Sequence, residues 1–206
     1  TNYIFKNLNL EFTANKTFYL EGKNGSGKST LVDLISGMLK PTQGKIEING
    51  ADISSSKFSM KSKVGYVSQT AFLINESIKE NIIFGRKNIE NKQLENVIKL
   101  TELDKLINNL PDKIETNVGD LGGKLSGGQK QKIMIARSLI NNPGLIILDE
   151  STNALDFESE KKFLNIIDKI KKNKIIIFIA HSEQIKEFCD EKYLLQDKTI
   201  KKLFLK

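Results

Sequence analysis

The sequence has no long apolar segment. Its most apolar stretch, residues 175–180, is far shorter than the roughly 20 residues that a transmembrane helix needs. We therefore expect that this chain does not cross a membrane by itself. It begins on Thr1 with no charged and then apolar leader, so we expect a piece of a longer protein without a signal peptide.

Cysteine and proline are also scarce. The only cysteine, Cys189, excludes a disulfide within the chain and fits a reducing compartment; we expect it to be a packed side chain. The 3 prolines form no linker with glycine or serine, and the 206 residues contain no internal repeat. We therefore expect residues 1–206 to form a single domain.

Acidic residues are fewer than basic ones, 25 against 32, which gives a formal net charge of +7 at pH 7. A positive charge of this size can attract nucleic acid or an anionic membrane surface. The lysines are scattered along the chain, however, and aromatic residues do not alternate with them as they do in nucleic-acid-binding faces. We therefore expect no nucleic-acid partner.

Short apolar runs alternate with amphipathic helical patterns, which favours an α/β architecture. Two continuous apolar runs, residues 145–150 and 174–182, are typical of parallel strands buried on both faces. Residues 71–141 are mostly helical in pattern, so we expect a helical subdomain inserted into a core of about residues 1–70 and 142–206. Further strands are predicted at residues 17–22, 44–50 and 63–69, and helices at residues 29–39 and 158–172. The predicted buried faces of these two helices are Leu31, Leu34, Ile35 and Met38, and Phe163, Leu164, Ile167 and Ile170.

The stretch GKNGSGKST, residues 22–30, lies between a predicted strand and a predicted helix. It matches the pattern G-x-x-x-x-G-K-[ST], in which glycines let backbone N–H groups and the helix start converge on phosphate oxygens. Lys28 is expected to hold the β- and γ-phosphates and Ser29 to ligate Mg²⁺. The alternative is a flexible glycine loop beside an ordinary surface lysine. The predicted nucleotide contacts are Gly22, Lys23, Asn24, Gly25, Ser26, Gly27, Lys28, Ser29 and Thr30.

The run LIILDE, residues 145–150, ends in two carboxylates. Asp149 is suited to hold Mg²⁺ through water, and Glu150 to orient or deprotonate an attacking water molecule. The alternative is that both residues only begin a surface loop after a core strand. The complete phosphate-binding pattern upstream favours the first interpretation.

Two further polar side chains end predicted strands. His181, the only histidine, follows residues 175–180, and Gln69 ends the run VGYVSQ. The sheets of α/β proteins bind ligands at the carboxyl ends of their strands. We interpret His181 as a sensor of the γ-phosphate, and Gln69 as a contact of the metal or of the attacking water. The alternative for each is an ordinary polar residue at a strand end.

The stretch LSGGQ, residues 125–129, places two glycines at the start of a basic helix. Ser126 can cap that helix, while Gly127 and Gly128 leave its first N–H groups uncovered, so that with Gln129 they form a second phosphate-binding surface. One nucleotide does not need two such surfaces from one chain. We therefore expect two copies placed head to tail, each lending this surface to the nucleotide of the other.

The ordered set of motifs resembles the nucleotide-binding domain of an ABC transporter. The set comprises the Walker A motif GKNGSGKST, the glutamine loop at Gln69, the signature LSGGQ, the Walker B motif LIILDE, a D-loop-like NALD at residues 153–156 and the switch histidine at His181. Within that family the chain resembles the exporter branch. Residues 70–85 are similar to the segment that receives the coupling helices of the membrane part, and residues 116–129 to the exporter X-loop.

The resemblance implies a P-loop NTPase core with a mainly parallel sheet, a small antiparallel β subdomain and an inserted helical subdomain. It implies ATP and Mg²⁺ as ligands, ATP hydrolysis coupled to transport, and a position on the cytoplasmic face of a membrane. The implied partners are a transmembrane domain and a second ATPase domain, and the transported substrate is not expected to bind this chain. Family members stack adenine on an aromatic residue some way before the first strand. Only Tyr3 is available here, and it lies a few residues too late, so we expect the stacking residue to lie upstream of this sequence.

Other ABC-type functions fit the sequence less well. An importer subunit would lack the exporter-like segment 116–129, and a DNA-repair or chromosome-maintenance ATPase carries a long coiled coil for which residues 30–125 leave no room. A nucleotide-gated module that does not hydrolyse ATP is disfavoured by Glu150, His181 and the full signature. The exporter motor domain is the leading hypothesis, with an importer subunit or a non-transport ATPase as alternatives.

Overall fold

The computed structural model describes residues 3–53, 60, 62–152 and 155–204. In this part of the chain the strands are β1 (Lys16–Gly22), β2 (Glu47–Ile48), β3 (Ala51–Asp52), β4 (Val64–Val67), β5 (Leu145–Asp149), β6 (Ile175–Ile179), β7 (Glu191–Gln196) and β8 (Thr199–Leu203). The α-helices are α1 (Lys28–Ile35), α2 (Ile78–Ile83), α3 (Asn91–Leu100), α4 (Asp104–Asn108), α5 (Gly127–Leu139), α6 (Phe157–Ile170) and α7 (Glu183–Phe188), with 3₁₀ turns at Lys113–Glu115 and Asp120–Gly122. None of the helices described is long and apolar enough to cross a membrane.

Six strands form one mainly parallel sheet in the order β4-β5-β6-β1-β7-β8, and β2 and β3 form a small antiparallel sheet. Among the strands described for the larger sheet, only β8 runs antiparallel to its neighbour, β7. The register places Leu148 of β5 beside both Val67 of β4 and Phe178 of β6. These three strands therefore end at one edge of the sheet. The predicted α/β fold with a mainly parallel sheet is confirmed.

Alternate residues of the central strands pack on opposite faces of the sheet. In β5, Ile146 and Leu148 belong to an apolar cluster that includes residues of α5 and α6. Leu145 and Ile147 belong to a second cluster, which includes Leu31 of α1. This division follows from the two-residue period of a β-strand. Strands β5 and β6 are thus buried on both faces, as their continuous apolar runs predict.

Helix α1 is shorter than the predicted helix. It ends at Ile35 because Gly37 takes a left-handed conformation with φ 75°, and the Met38 N–H donates to the Asp33 carbonyl at 2.8 Å. Met38 lies outside the helix and is 68% exposed, so its predicted place on the buried face is wrong. The predicted apolar face of α6 is confirmed, since Phe163, Leu164, Ile167 and Ile170 are all buried.

The strand predicted at residues 44–50 is reduced to the two residues of β2. Asn49, with φ 50°, and Gly50, with φ 78°, form a tight turn between β2 and β3. Two-residue hairpin turns of this kind need positive φ at both positions and favour the pair Asn-Gly. The predicted strand is therefore too long because it includes the turn residues.

A buried arginine holds the helical segment together. Arg137 of α5 donates from Nε to the Asn81 carbonyl at 2.7 Å, from Nη2 to Asn81 Oδ1 at 2.9 Å and from Nη1 to the Phe72 carbonyl at 2.8 Å. Its guanidinium also lies 4.0 Å from the centre of the Phe84 ring. Burial lowers the pKa of Arg137 to about 10, which leaves the group charged at neutral pH. Helix α5 is thereby tied to α2 and to the segment that follows Gln69.

An ionic cluster joins β1, β7 and β8 near the amino ends of β1 and β7. The Glu191 carboxylate accepts hydrogen bonds from Lys16 Nζ at 2.6 Å, Lys202 Nζ at 2.7 Å and the Tyr193 hydroxyl at 2.8 Å. These bonds, first of all the one from Lys16, lower the pKa of Glu191 to about 2. Since an unfolded glutamate has a pKa of about 4.3, the cluster stabilises the fold above that pH, and the stabilisation is lost as the pH falls toward 2.

We predict that Glu191→Gln lowers the free energy of unfolding by about 1–2 kcal/mol at pH 7, a modest loss because the partner lysines are 45% and 42% exposed. The difference from wild type should shrink as the pH falls from about 4.5 to 2, where the native carboxylate becomes protonated. Urea unfolding at several pH values measures it. Glu47→Gln, which loses only an exposed pair with Lys45, is the control. A loss that is equal at pH 7 and near pH 2 would contradict the prediction.

Candidate functional site

The loop between β1 and α1 exposes backbone at the start of a helix. Gly25, with φ 79°, and Gly27, with φ 101°, take conformations that residues with a side chain rarely adopt. A Cβ at Gly27 would lie 2.7 Å from Phe5 Cζ, so the phenyl ring packs directly on this glycine. Gly27 is the N-cap of α1 and supplies no capping side chain, and the first turn holds no acidic residue. The first N–H groups of α1 are therefore open to an anion.

Lys28 folds back onto this loop. Its Nζ donates to the Gly22 carbonyl at 2.5 Å and to the Lys23 carbonyl at 3.2 Å, so one of its three N–H groups remains for a ligand. Ser26 Oγ is buried without a hydrogen-bond partner in the described part of the chain. An ammonium group, an unpaired hydroxyl and open helix N–H groups in one loop suit a polyphosphate. Of the other predicted contacts, Lys23, Asn24, Gly25 and Ser29 are exposed, and Gly27 and Thr30 are half-buried.

Three predicted residues meet where β4, β5 and β6 end. Gln69 Nε2 donates to Glu150 Oε2 at 2.7 Å, and His181 Nε2 lies 3.7 Å from Glu150 Oε1. Glu150 has a positive φ of 47°, and its N–H donates to the Ile179 carbonyl at 2.7 Å, which fixes the turn after β5. Strand β1, which leads into the phosphate loop, lies beside β6. A carboxylate between an amide and an imidazole can orient a water molecule and accept its proton.

Asp149 has a partner that the sequence interpretation missed. The Tyr66 hydroxyl donates to Asp149 Oδ2 at 2.6 Å. Burial, and then the bond to Asp149, raise the pKa of Tyr66, so the phenol keeps its proton and remains a donor. In the sequence Tyr66 is an ordinary aromatic residue of a strand. Only the pairing of β4 with β5 brings it to Asp149.

Candidate metal ligands at this site are the Ser29 hydroxyl, the Gln69 side-chain amide and the Asp149 carboxylate. Their oxygen atoms are the kind of ligand that Mg²⁺ prefers. Among the residues described, no group of three or more His, Cys, Asp or Glu side chains could hold a metal. A metal bound here would therefore need phosphate oxygens or water molecules to complete its coordination, as Mg²⁺ in nucleotide sites does. The donor set fits Mg²⁺.

The second glycine-rich segment begins helix α5. Ser126 is its N-cap: the Gln129 N–H donates to Ser126 Oγ at 3.3 Å, and the Ser126 N–H donates to Gln129 Oε1 at 2.8 Å. The predicted cap is thus present. A Cβ at Gly128 would meet no atom within 4 Å, so this face of the helix start is open. Helix α5 packs on α2, α3 and β4, whereas α1 packs on β1.

The segments that resemble exporter loops contact each other. Asn117 forms a β-bridge with Ser77, and Asn75 Nδ2 donates to Asp120 Oδ1 at 2.6 Å. Residues 116–126 therefore connect the start of α5 with the chain that follows Gln69. Of the D-loop-like segment, Asn153 and Ala154 lie outside the described residues.

Tyr3, which the sequence places a few residues too late for the expected adenine-stacking residue, lies against the phosphate loop. It lines a cleft of ≈ 440 Å³ together with Ile4, Gly25, Ser26, Asp197 and Lys198. Lys6 Nζ lies 5.8 Å from the centre of its ring. That the adenine-stacking residue lies upstream of this sequence stays a prediction.

Cys189 takes no part in the site. It is 3% exposed, and burial raises the pKa of its thiol to about 12. A thiol that stays protonated in the core is a packed side chain, as the sequence predicts.

A parallel α/β sheet with this loop after β1 and these polar strand ends defines a nucleotide-binding protein of the P-loop class. The family profile described as ABC transporter matches residues 5–153. The chain belongs to this family, and the predicted resemblance is confirmed.

Several similar proteins have export in their names. A Rickettsia typhi protein named as an export ATP-binding/permease protein is 42% identical over 179 residues, which cover 86% of this chain and 31% of that protein. ABC transporter B family member 21 of Arabidopsis thaliana is 38% identical over 179 residues, 86% of this chain and 14% of that protein. The chain therefore spans less than a third of the length of these relatives. A solved structure of a bacterial Atm1-family ABC exporter with ATP bound has a TM-score of 0.83 and 32% identity, covering 96% of this chain and 35% of that chain.

We predict that Gly128→Ala raises the free energy of unfolding of this chain by about 0.5 kcal/mol. Alanine loses less backbone entropy than glycine in a helix, and its Cβ meets no atom within 4 Å. Chemical denaturation measures the change. Gly27→Ala is the matched control and should cost about 1–3 kcal/mol, because φ there is 101° and Phe5 is in contact. A comparable loss in Gly128→Ala would show that the start of α5 is not open.

Proposed function

We propose that this chain binds ATP with Mg²⁺ and hydrolyses it as the motor domain of an ABC exporter. The observation that carries the proposal is the position of Glu150 between Gln69 and His181. These residues follow strands of the same sheet whose strand β1 leads into a complete phosphate-binding loop. The names of the similar proteins support the export part. An importer subunit would use the same chemistry and is the alternative, which those names disfavour.

Nucleotide binding would use the loop from Gly22 to Thr30. The Lys28 ammonium exchanges its bonds to the Gly22 and Lys23 carbonyls for the β- and γ-phosphate oxygens. The open N–H groups of α1 and the unpaired Ser26 hydroxyl gain phosphate partners as well. Ser29, Gln69 and Asp149 would hold Mg²⁺, which when bound neutralises phosphate charge.

Hydrolysis would proceed by direct attack of water on the γ-phosphorus. As the water oxygen forms its bond to phosphorus, Glu150 takes a proton from it, and the bond from phosphorus to the β–γ bridging oxygen breaks. ADP and inorganic phosphate leave, and Glu150 returns the proton to phosphate or solvent. Gln69, which donates to Glu150 at 2.7 Å, orients the water, while His181 holds a γ-phosphate oxygen.

A second copy of the ATPase domain, placed head to tail, would complete each site. Its Ser126, Gly127, Gly128 and Gln129 would approach the γ-phosphate that the first chain holds. The open space over Gly128 supports this role, since a phosphate can approach the bare helix start there. Packing of α1 and α5 on different elements supports the need for a second chain, because one chain then presents the two phosphate-binding surfaces separately.

The transmembrane domain of the transporter would dock beside the Arg137 network, on the cytoplasmic face of the membrane. Phe72 is 51% exposed and Phe84 is 41% exposed there, and both contact the guanidinium of Arg137. A partner that covers these aromatic residues would contact α5 through Arg137. It would also contact the segment that follows Gln69, to which Phe72 belongs. The transported substrate would bind the membrane part and not this chain.

We predict that Glu150→Gln, in the assembled transporter, slows ATP hydrolysis by about 10²-fold or more while ATP still binds, because the amide keeps the shape and removes the proton acceptor. With the isolated chain, an ATP-bound dimer of this variant should accumulate and be visible by size-exclusion chromatography. The exposed Glu158→Gln is the control and should hydrolyse ATP at the wild-type rate. A wild-type rate in Glu150→Gln would exclude Glu150 as the base.

We predict that Gly128→Asp abolishes turnover although ATP affinity in the single chain stays within about 1 kcal/mol of wild type, because the new carboxylate repels only the partner's γ-phosphate. Gly144→Asp adds the same charge at an exposed glycine where a Cβ also meets no atom within 4 Å, and should stay active. Lys28→Ala should also be inactive, because its own phosphate loop has lost the ammonium.

Mixing the two inactive variants tests the shared site. In a mixed dimer, one site carries both lesions and the other combines an intact phosphate loop with an intact signature. Recovered hydrolysis is the expected result. Mixtures of Lys28→Ala and Gly128→Asp that remain inactive, although mixed dimers form, would contradict a site built from two chains.

A further inference from the structure

We propose that Tyr66 is a positioning residue for metal binding: its hydroxyl orients the Asp149 carboxylate toward Mg²⁺ in the nucleotide site. This inference rests on the proposed function and assigns a role to a residue of the run VGYVSQ for which the sequence predicts none. It begins from the 2.6 Å hydrogen bond that the Tyr66 hydroxyl donates to Asp149 Oδ2. A phenol-to-carboxylate bond this short is charge-assisted and is stronger than a neutral hydrogen bond.

The sheet explains why these two side chains meet. In the parallel register Tyr66 of β4 lies beside Ile147 of β5. Asp149 is two residues beyond Ile147, so it points to the same face of the sheet and is the diagonal neighbour of Tyr66. Ile147 packs in one cluster with Leu31 of α1, which places this face on the side of α1. Tyr66 and Asp149 therefore share the side of the sheet on which α1, with Ser29 in its first turn, is packed.

The hydrogen bond restricts the carboxylate. Oδ2 is occupied by the phenol, which fixes the rotation of the carboxylate plane and directs Oδ1 away from Tyr66. A metal or its bound water then meets an oxygen that is already oriented, and the rotational entropy has been lost before binding. Without the hydroxyl, that entropy would have to be lost on metal binding. Residues that orient a metal ligand in this way typically change metal affinity by about 10–100-fold.

The test measures metal affinity and not only turnover. Mn²⁺ is titrated into this chain with a saturating non-hydrolysable ATP analogue, and free Mn²⁺ is followed by electron paramagnetic resonance. Tyr66→Phe keeps the ring and removes the hydroxyl, and should weaken Mn²⁺ binding by about tenfold. Affinity for the analogue in the presence of EDTA should equal that of wild type, since the phosphate loop is unchanged.

Tyr193→Phe is the matched control. It removes a phenol-to-carboxylate bond of 2.8 Å, to Glu191 at the amino end of β7, and should leave Mn²⁺ affinity unchanged. A second comparison uses Asp149→Asn, in which adding Tyr66→Phe should cause little further loss because the oriented carboxylate is already gone.

The outcomes separate the two proposals. Unchanged or tighter Mn²⁺ binding in Tyr66→Phe, or an equal loss in Tyr193→Phe, would overturn the role of Tyr66 and leave the proposed function standing. An additive loss in the Asp149→Asn background would also overturn it, since Tyr66 would then act by another route. A wild-type chain that binds neither the analogue nor its Mn²⁺ complex would overturn the proposed function itself.

Discussion

Parallel pairing of β5 with β4 on one side and β6 on the other is the constraint on which the candidate site depends. The three strands are held in register by backbone hydrogen bonds and by an apolar core on each face, so their carboxyl ends coincide at one edge of the sheet. Gln69, Glu150 and His181 are distant in sequence and meet there because each follows one of these strands. A shift of one strand by a single residue would separate them and expose apolar side chains.

Two unusual backbone conformations occur at the same edge. Glu150 has a positive φ although it is not glycine, and the bond from its N–H to the Ile179 carbonyl holds it there. Gly27 carries φ 101° under the Phe5 ring. For a residue with a side chain, such as Glu150, a positive φ costs of order 1 kcal/mol or more and persists only where the surroundings determine it, whereas glycine adopts it freely. At this edge the backbone of Glu150 turns its carboxylate toward Gln69 and His181, and Gly27 supplies no capping side chain at the start of α1.

The second glycine-rich segment is connected to this edge through helix α5, because Gln131 Nε2 of α5 donates to the carbonyl of Ser151, the residue after Glu150, at 2.8 Å. Helix α5 carries the Ser126 cap at its start and Arg137 near its end, and Arg137 binds the Phe72 carbonyl, a few residues after Gln69. Its bonds to Asn81 add α2 to the same rigid unit. These bonds join α5 to the segment that leads back to Gln69, and breaking them would have a large cost because a buried charge would be left unpaired.

The sequence by itself determined the features that neighbouring residues specify. The phosphate loop, the two buried strands and the Ser126 cap each depend on residues within one turn or one strand. They can therefore be predicted from the order of residues along the chain. The pair Asn49–Gly50 also favours a hairpin turn locally, but the strand predicted at residues 44–50 included both turn residues. Tertiary structure alone decided that Tyr66 meets Asp149 and that Phe5 covers Gly27. Those contacts depend on strand register and on the path of distant segments, and the free energy that selects them comes from packing of the whole core.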